Sequence, residues 1–339
     1  MEKETDQETV LKIKDLTVHF IVEDEVVEAV NGIDLSLKKG HTIGLVGETG
    51  AGKTTTAKAI MNMIPSPPGK IERGEIFVCG RNVLQMTPAE LQMVRGNDVS
   101  MIFQDPMTSL NPVLTVGDQI AESIALHEKV SRDAALKKAG EMLELVGIPR
   151  SRLSDYPHQF SGGMKQRVVI AIALCCNPQL LIADEPTTAL DVTIQAQVLE
   201  LMRELREKYG MAIIMITHDL GIIAEMCDEV AVMYAGQLVE VGTLDDIFNH
   251  TLHPYTEGLF NSLPNIRNRK HKRKEELKTI PGLMPDPTNL PEGCAFSQRC
   301  AYATPECGNT KQQMIKASDT HCVLCSRYRE PLFHIERGN

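Results

Sequence analysis

The sequence predicts an α/β fold in which helices cover a parallel β-sheet. Three apolar runs, at residues 43–46, 180–183 and 212–216, each end in polar residues, as strands buried on both faces do. Helix-favouring stretches separate these runs, and such alternation is typical of a parallel sheet. Residues 115–147 predict helical structure that stops at Gly147.

Other segments predict strands of a different kind. Residues 11–20 alternate between apolar and polar side chains, and residues 26–30 and 33–37 also suit strands. Residues 230–241 form two apolar runs on either side of an Ala-Gly pair at 235–236. Such a pair between two strands predicts a β-hairpin.

The composition is that of a globular protein with room for one large domain and a smaller one. The chain has 339 residues, 42% hydrophobic and 24% charged, and a formal net charge of −10. This negative balance argues against a nucleic-acid partner. The longest apolar run, residues 168–176, is far shorter than the about 18 residues that a membrane span needs. Because the polar N-terminus lacks a signal-peptide core, we expect a cytosolic chain.

The segment 47–54 fits the pattern G-x-x-x-x-G-K-[ST] between a predicted strand and a predicted helix. Its residues are Gly47, Glu48, Thr49, Gly50, Ala51, Gly52, Lys53 and Thr54. Glycines let successive N–H groups point inward, and the helix N-terminus adds a partial positive charge. Lys53 is expected to reach the β- and γ-phosphates of a nucleotide, and the Thr54 hydroxyl to bind Mg²⁺. The alternative is an ordinary glycine-rich turn.

A second group of candidate residues follows the strand predicted at 180–183. Asp184 is expected to approach Mg²⁺, since ligands lie beyond the carboxyl ends of parallel strands. Glu185 can orient an attacking water, and Pro186 predicts an extended backbone at Glu185. The alternative is a pair of solvated turn acids. Farther upstream, residues 161–163, Ser-Gly-Gly, predict a capped helix, and their local chemistry does not indicate a ligand.

Taken in order, these motifs resemble those of the ATP-binding cassette (ABC) ATPases over residues 11–325. The further matches are Gln104 (Q-loop), residues 161–167 (signature motif), Asp184 (Walker B), Glu185 (catalytic glutamate), Ala189, Leu190 and Asp191 (D-loop), His218 (switch histidine) and Phe20 (adenine stacking). The resemblance implies a P-loop NTPase core with an antiparallel β subdomain and a helical subdomain at about 105–165. The nucleotide-binding domain would span 1–255, and a small cysteine-rich C-terminal extension would span 256–339.

The resemblance also implies roles for individual residues. The catalytic residues would be Glu185, His218, Lys53 and Gln104. The residues binding ATP would be Phe20 and 47–55, from Gly47 to Thr55, and those binding Mg²⁺ would be Thr54, Gln104 and Asp184. Two cassettes would pack head to tail, so the residues contacting ATP on the partner would be Ser161, Gly162, Gly163 and Asp191. ATP binding would close the pair and hydrolysis would reopen it. Phe20 could instead be a strand core residue, and His218 a capping histidine.

Four segments are similar to the peptide-importer branch of the family: residues 104–112, 184–197, 253–256 and the cysteine-rich tail. Met164 replaces the usual glutamine of the signature, a change typical of this branch. The partners would be a second, distinct cassette, two transmembrane permease subunits and, indirectly, an extracytoplasmic solute-binding protein. The chain would lie on the cytoplasmic face of the membrane. Nickel or another small solute is the alternative cargo.

Five of the nine cysteines lie in the last 46 residues, and in a reducing compartment such a cluster suggests metal. The resemblance implies a [4Fe–4S] cluster held by Cys294, Cys300, Cys307 and Cys325, with Cys322 as the alternative fourth ligand. Zinc and free structural cysteines remain alternatives. The basic run at residues 267–278 predicts a solvated linker or a contact with anionic lipid.

Two other functions compete with transport. A non-transport ABC ATPase acting on DNA or the ribosome would need tandem cassettes, a long coiled coil or a basic surface. The single signature motif and the net charge of −10 count against that function. A regulatory protein that only binds nucleotide would not need both Glu185 and His218.

Overall fold

A computed structural model describes residues 9–105, 109–188, 190–262, 279–330, 333 and 335. The strands are β1 (Thr9–Val22), β2 (Glu25–Lys38), β3 (Thr42–Val46), β4 (Gly69–Val78), β5 (Arg81–Asn82), β6 (Val99–Ile102), β7 (Leu180–Asp184), β8 (Ala212–Ile216), β9 (Glu229–Tyr234), β10 (Gln237–Thr243), β11 (Ile315–Lys316) and β12 (Cys322–Val323). The helices are α1 (Lys53–Ile60), α2 (Pro88–Val94), α3 (Val116–Glu128), α4 (Arg132–Leu145), α5 (Gly162–Leu174), α6 (Val192–Tyr209), α7 (Leu220–Met226), α8 (Leu244–Asn249) and α9 (Pro254–Asn261). Ala189 of the D-loop and the basic run at 267–278 lie outside the described residues.

The main sheet has the order β11-β12-β10-β9-β3-β8-β7-β6. Its strands β9, β3, β8, β7 and β6 run parallel to one another, which confirms the predicted parallel sheet. The three central strands β3, β7 and β8 are buried along their whole length, as expected of strands covered on both faces. All three end at the same edge of the sheet, so the residues that follow them can form one site.

A second sheet is antiparallel, with the order β2-β1-β4-β5. The alternating stretch predicted at 11–20 lies in β1. The two strands predicted at 26–30 and 33–37 form one strand, β2, and the pairing with β1 shifts register beside Gly32, whose φ is +65°. This shift is a bulge that lets one strand continue where the sequence pattern breaks.

The predicted hairpin and the predicted helix stop are both present, but the predicted helical stretch between residues 115 and 147 is divided into two helices. β9 and β10 pair in antiparallel fashion across Ala235 and Gly236, whose φ values are +44° and +79°, as a type I′ hairpin turn requires. Residues 115–147 form two helices, α3 and α4, because Ser131 caps a new helix. The second helix ends beside Gly147, whose φ is +78°.

The C-terminal segment adds its two short strands to the main sheet. β12 pairs with β10 at Glu240–Val323 and Val241–Cys322, and β11 pairs with β12. The main sheet therefore continues from the nucleotide-binding core into this segment. The domain boundary at 255/256 stays a prediction. Among the described residues, no helix is long and apolar enough to cross a membrane.

Candidate active site

The loop between β3 and α1 has the strand–loop–helix setting that its sequence motif requires. Gly47 and Gly52 have φ values of +152° and +105°, which side-chain-bearing residues rarely adopt. A Cβ atom at Gly47 would lie 2.1 Å from the Met233 carbonyl oxygen, and one at Gly52 would lie 2.5 Å from the Ala29 carbonyl oxygen. Glycine is therefore required at both positions by conformation and by space.

Lys53, the first residue of α1, folds its side chain back over this loop. Its ammonium group donates hydrogen bonds to the carbonyl oxygens of Gly47, at 2.8 Å, and Glu48, at 2.9 Å. Burial lowers the pKa of Lys53, and the carboxylates of Glu185, Asp184 and Glu48 oppose that shift. The cation is thus already placed at the centre of the loop, where phosphate oxygens could replace the two carbonyl groups.

Asp184 ends β7 at the same edge of the sheet and is 3% exposed. Burial raises the pKa of its carboxyl group, while a hydrogen bond with Thr54 and the charge of Lys53 act against the rise. Carboxylate and hydroxyl oxygens are ligands that suit Mg²⁺. The structure therefore places two of the three predicted magnesium ligands, Thr54 and Asp184, in contact.

Glu185 adopts a backbone conformation that the sequence did not predict. Its φ is +49°, in the left-handed region, and its N–H group donates to the carbonyl oxygen of Ile216 at 2.8 Å. The extended backbone predicted from Pro186 is therefore wrong at this position. A glutamate in this region carries strain that the surrounding structure must hold in place, and such strain is concentrated at functional sites.

Three side chains hold the Glu185 carboxylate. Gln104 donates from Nε2 at 2.9 Å, Thr188 donates from its hydroxyl at 2.9 Å, and His218 lies with Nδ1 at 3.3 Å. Burial would raise the pKa of Glu185, but these hydrogen bonds and the nearby histidine together lower it. The structure thus brings together Gln104, Glu185 and His218, which the family resemblance grouped as catalytic residues. Their catalytic roles stay predictions.

Thr188 is the contact that sequence reasoning missed. It lies three residues after Glu185, in the turn that follows β7. A threonine at that spacing from a turn acid is a signal for a local side-chain hydrogen bond, which could have been used.

Replacing Thr188 with Val should lower ATP turnover and leave ATP affinity unchanged. A hydrogen bond to a charged group contributes about 1.5–3 kcal/mol, so the expected loss in kcat is about 10-fold or more. Loss of this donor also raises the pKa of Glu185, so the acid limb of the pH–rate profile should move to higher pH. An unchanged kcat with an unshifted acid limb would show that Thr188 does not support Glu185.

The residues predicted to face the partner cassette lie at the starts of two helices, α5 and α6. Ser161 caps α5 and accepts from the Met164 N–H at 3.4 Å, which confirms the predicted capped helix. Asp191 caps α6 and accepts from the Ile194 N–H at 2.9 Å. The two caps are neighbours, because a Cβ at Gly163 would lie 2.5 Å from Ile194. Ser161, Gly162 and Asp191 are exposed to solvent, while Gly163 is half-buried.

Phe20 is half-buried in β1, where it pairs with Val27 and with Gly69. Its ring lies beside Gly69 and packs on the apolar core between the two sheets. The stacking on adenine stays a prediction.

The cysteines of the tail divide into two groups. Four of them line one cavity of about 10 Å³: Cys294, Cys300, Cys307 and Cys325. Burial, with a smaller contribution from neighbouring thiols, raises the pKa of Cys294 to about 12 and that of Cys325 to about 11. Cys322 instead lies in β12 and lines a different groove. Within the described parts of the chain, no three metal-ligating side chains are close enough to hold an ion, so the predicted iron–sulfur cluster is not supported.

Comparison with known proteins agrees with this geometry. Residues 30–188 match the family described as "ABC transporter", and residues 239–307 match "Oligopeptide/dipeptide transporter, C-terminal region". The chain belongs to the ABC transporter family as an ATP-binding, ATP-hydrolysing subunit. It is 54% identical to the oligopeptide transport ATP-binding protein OppD of Bacillus subtilis, over 92% of this chain and 87% of that one. It is 48% identical to the dipeptide transport ATP-binding protein DppD of the same organism, over 94% of each chain.

Solved structures show the same fold. A dimeric post-hydrolysis structure of the ATP-binding cassette MJ0796, bound to ADP and phosphate, has a TM-score of 0.62 and 26% identity. It covers 69% of this chain and 98% of its own. The cassette cbiO1 from Clostridium perfringens has a TM-score of 0.61 and 27% identity, covering 72% of this chain and 92% of its own.

Proposed function

We propose that this chain powers the import of dipeptides and oligopeptides as the ATP-hydrolysing subunit of an ABC importer. The observation that carries the ATPase role is the convergence of Gln104, Thr188 and His218 on the Glu185 carboxylate. A carboxylate oriented by three side chains can position and deprotonate an attacking water. The names of OppD and DppD, both relatives over almost the whole chain, support peptides as the cargo.

Each element of the site has a role in this proposal. The loop N–H groups of residues 47–55 and the Lys53 ammonium bind the phosphates, while Phe20 stacks on adenine. Mg²⁺ is held by Thr54, Asp184 and Gln104, the last of which reports nucleotide state to the membrane subunits. His218 contacts the γ-phosphate and Glu185. Mg²⁺ supplies charge neutralisation at the phosphates, and the protein supplies orientation of the water.

A second cassette completes each ATP site. The exposed start of α5, with Ser161 and Gly162, and the adjacent cap Asp191 form a surface that can contact ATP bound to a partner. The dimeric state of the MJ0796 structure supports such pairing. The partner would be a related cassette, and two permease subunits would hold the pair at the cytoplasmic face of the membrane.

The cargo can be tested with the purified importer in proteoliposomes. A solute-binding protein loaded with a dipeptide or oligopeptide should stimulate ATP hydrolysis by the wild-type complex. The same protein without peptide should stimulate it much less, and the Lys53→Ala complex should not respond. Stimulation by nickel or another small solute, with no response to peptides, would show that this solute is the cargo of the importer.

We further propose that the four cysteines lining one cavity are the ligands of a [4Fe–4S] cluster. Cys307 and Cys325 are buried and Cys294 and Cys300 are half-buried around this cavity, and thiols are the ligands that iron–sulfur clusters use. The cavity has about the volume of one water molecule, which is too small for a cluster in this arrangement, so loading would require the thiols to move apart. Once loaded, the cluster would add stability to the C-terminal segment.

Protein purified without oxygen should therefore be brown and contain iron and labile sulfide. Cys294→Ser and Cys307→Ser should remove the colour, and Cys325→Ser should do so more than Cys322→Ser, because Cys322 does not line the cavity. The measurement is iron and sulfide content together with visible absorption. If the anaerobic protein is colourless and holds one zinc ion, the four-cysteine site is a zinc site and the iron–sulfur assignment is wrong.

A further inference from the structure

The C-terminal segment reaches the phosphate-binding loop through one buried arginine. Arg299 is adjacent to Cys300, and its side chain is only 7% exposed. Its guanidinium donates from Nη1 to the Glu48 carboxylate at 3.0 Å and to the Tyr234 hydroxyl at 3.2 Å. Its Nε donates to the Pro281 carbonyl oxygen at 2.9 Å. Glu48 is the second residue of the phosphate-binding loop, 251 positions away in sequence.

A second contact fixes the backbone of the same loop residue. The N–H group of Glu48 donates to the Tyr255 hydroxyl at 2.9 Å, and Tyr255 is fully buried. The Glu48 carbonyl oxygen in turn accepts a hydrogen bond from Lys53 at 2.9 Å. Glu48 is thus held at its side chain, its N–H group and its carbonyl oxygen. Glu48 therefore links Arg299 to the phosphate-binding Lys53.

Aromatic packing makes this connection rigid. Tyr234 and Tyr255 lie 4.5 Å apart between ring centroids, and Phe296 packs edge-on against both, at 5.3 and 5.5 Å. Phe296 also lines the four-cysteine cavity. The segment before Arg299 passes over the loop as well, since a Cβ at Gly50 would lie 3.1 Å from the Met284 methyl group. Packed side chains of this kind can transmit strain between two sites.

We infer that the C-terminal segment is a working part of the ATP site: Arg299, together with Tyr255, positions Glu48 and thereby holds the loop in its phosphate-binding shape. Arg299 is a positioning residue, because it acts on ATP through Glu48 and Lys53. The inference rests on the proposed ATP site. It also predicts reciprocity, since a segment that favours ATP binding must itself be stabilised when ATP binds.

The test measures equilibrium binding of MgATP to the full-length chain. Arg299→Gln should weaken binding by about 10-fold, within the range typical of coupled sites. Arg299→Lys should recover part of the affinity, because it keeps the charge but loses the planar fork. Tyr255→Phe, which removes only one hydroxyl group, should weaken binding through the same loop residue. The matched control is Arg329→Gln, since Arg329 is exposed on the same segment and donates to Gln313 at 2.8 Å.

Two further measurements separate positioning from a general loss of structure. In a double-mutant cycle, Arg299→Gln combined with Glu48→Gln should bind ATP no more weakly than the weaker-binding single variant. In hydrogen exchange, MgATP should slow exchange of amides at residues 281–300 in the wild type but not in Arg299→Gln. If the wild type binds MgATP while Arg299→Gln, Tyr255→Phe and Glu48→Gln all match it in affinity, and Arg299→Gln also matches it in exchange, the inference is overturned. If the wild type itself does not bind MgATP, the proposed function fails instead.

Discussion

Replacing Glu185 with Gln should lower ATP turnover by roughly 10²-fold or more, the scale of losing one group that acts in the transition state. ATP binding should remain, because the phosphate contacts come from the loop and Lys53. The glutamine carbonyl oxygen can still accept from Gln104 and Thr188, so the turn at this position should keep its shape. The closed, ATP-bound cassette pair should therefore accumulate.

The measurement is steady-state phosphate release by the assembled importer, with ATP binding measured on the same preparation. Glu207→Gln is a suitable control, since Glu207 is an exposed acid on α6. Near-normal hydrolysis by the Glu185 variant would remove this residue from the catalytic role. Loss of both binding and hydrolysis would show that the variant damages the loop rather than the chemistry.

Ser161→Arg should strongly lower hydrolysis of the ATP bound by the partner cassette and spare hydrolysis of the ATP bound by its own Lys53. The reason is position: Ser161 is exposed at the start of α5, and its described hydrogen bonds stay within the first turn of that helix. An arginine there would obstruct a second chain docking against this surface. The expected loss at the composite site is about 10²-fold or more, as for removal of a transition-state donor.

The test combines Ser161→Arg chains with intact partner cassettes and identifies which chain retains trapped nucleotide. Ser131→Arg is the matched control, because Ser131 is likewise an exposed cap, accepting from the Ala134 N–H at 3.3 Å. Both changes lose a helix cap, at a cost of about 1 kcal/mol, but only one lies on the proposed interface. Damage confined to ATP bound by the mutated chain's own Lys53 would contradict the head-to-tail arrangement.

Local sequence motifs correctly predicted which residues lie at the carboxyl ends of the parallel strands. The positions of the loop at 47–54 and of Asp184 could be predicted because each directly follows a predicted strand. Neighbouring residues alone determine the backbone there. Glu185 shows the limit of that reasoning. Pro186 favours an extended residue before it, but Glu185 has a φ of +49° while its N–H group donates to Ile216 on the neighbouring strand, a contact that no local pattern predicts.

Contacts between distant segments could not be predicted in this way. Arg299 and Glu48 are 251 positions apart, and no sequence pattern around either residue predicts a contact with the other. The tail shows a similar limit. The family resemblance implied a ligand set and left Cys322 as an alternative, but only the packing shows that Cys325 lines the cavity with Cys294, Cys300 and Cys307.

The central claim, that ATP hydrolysis at Glu185 drives peptide import, is tested most directly by measuring both processes together. Proteoliposomes containing the complete importer would be assayed for phosphate release and for uptake of a labelled peptide in the same sample. We predict that the Glu185→Gln complex loses both activities together, and that Thr188→Val lowers both by the same factor. Peptide uptake at the wild-type rate by a complex that no longer hydrolyses ATP would contradict the claim.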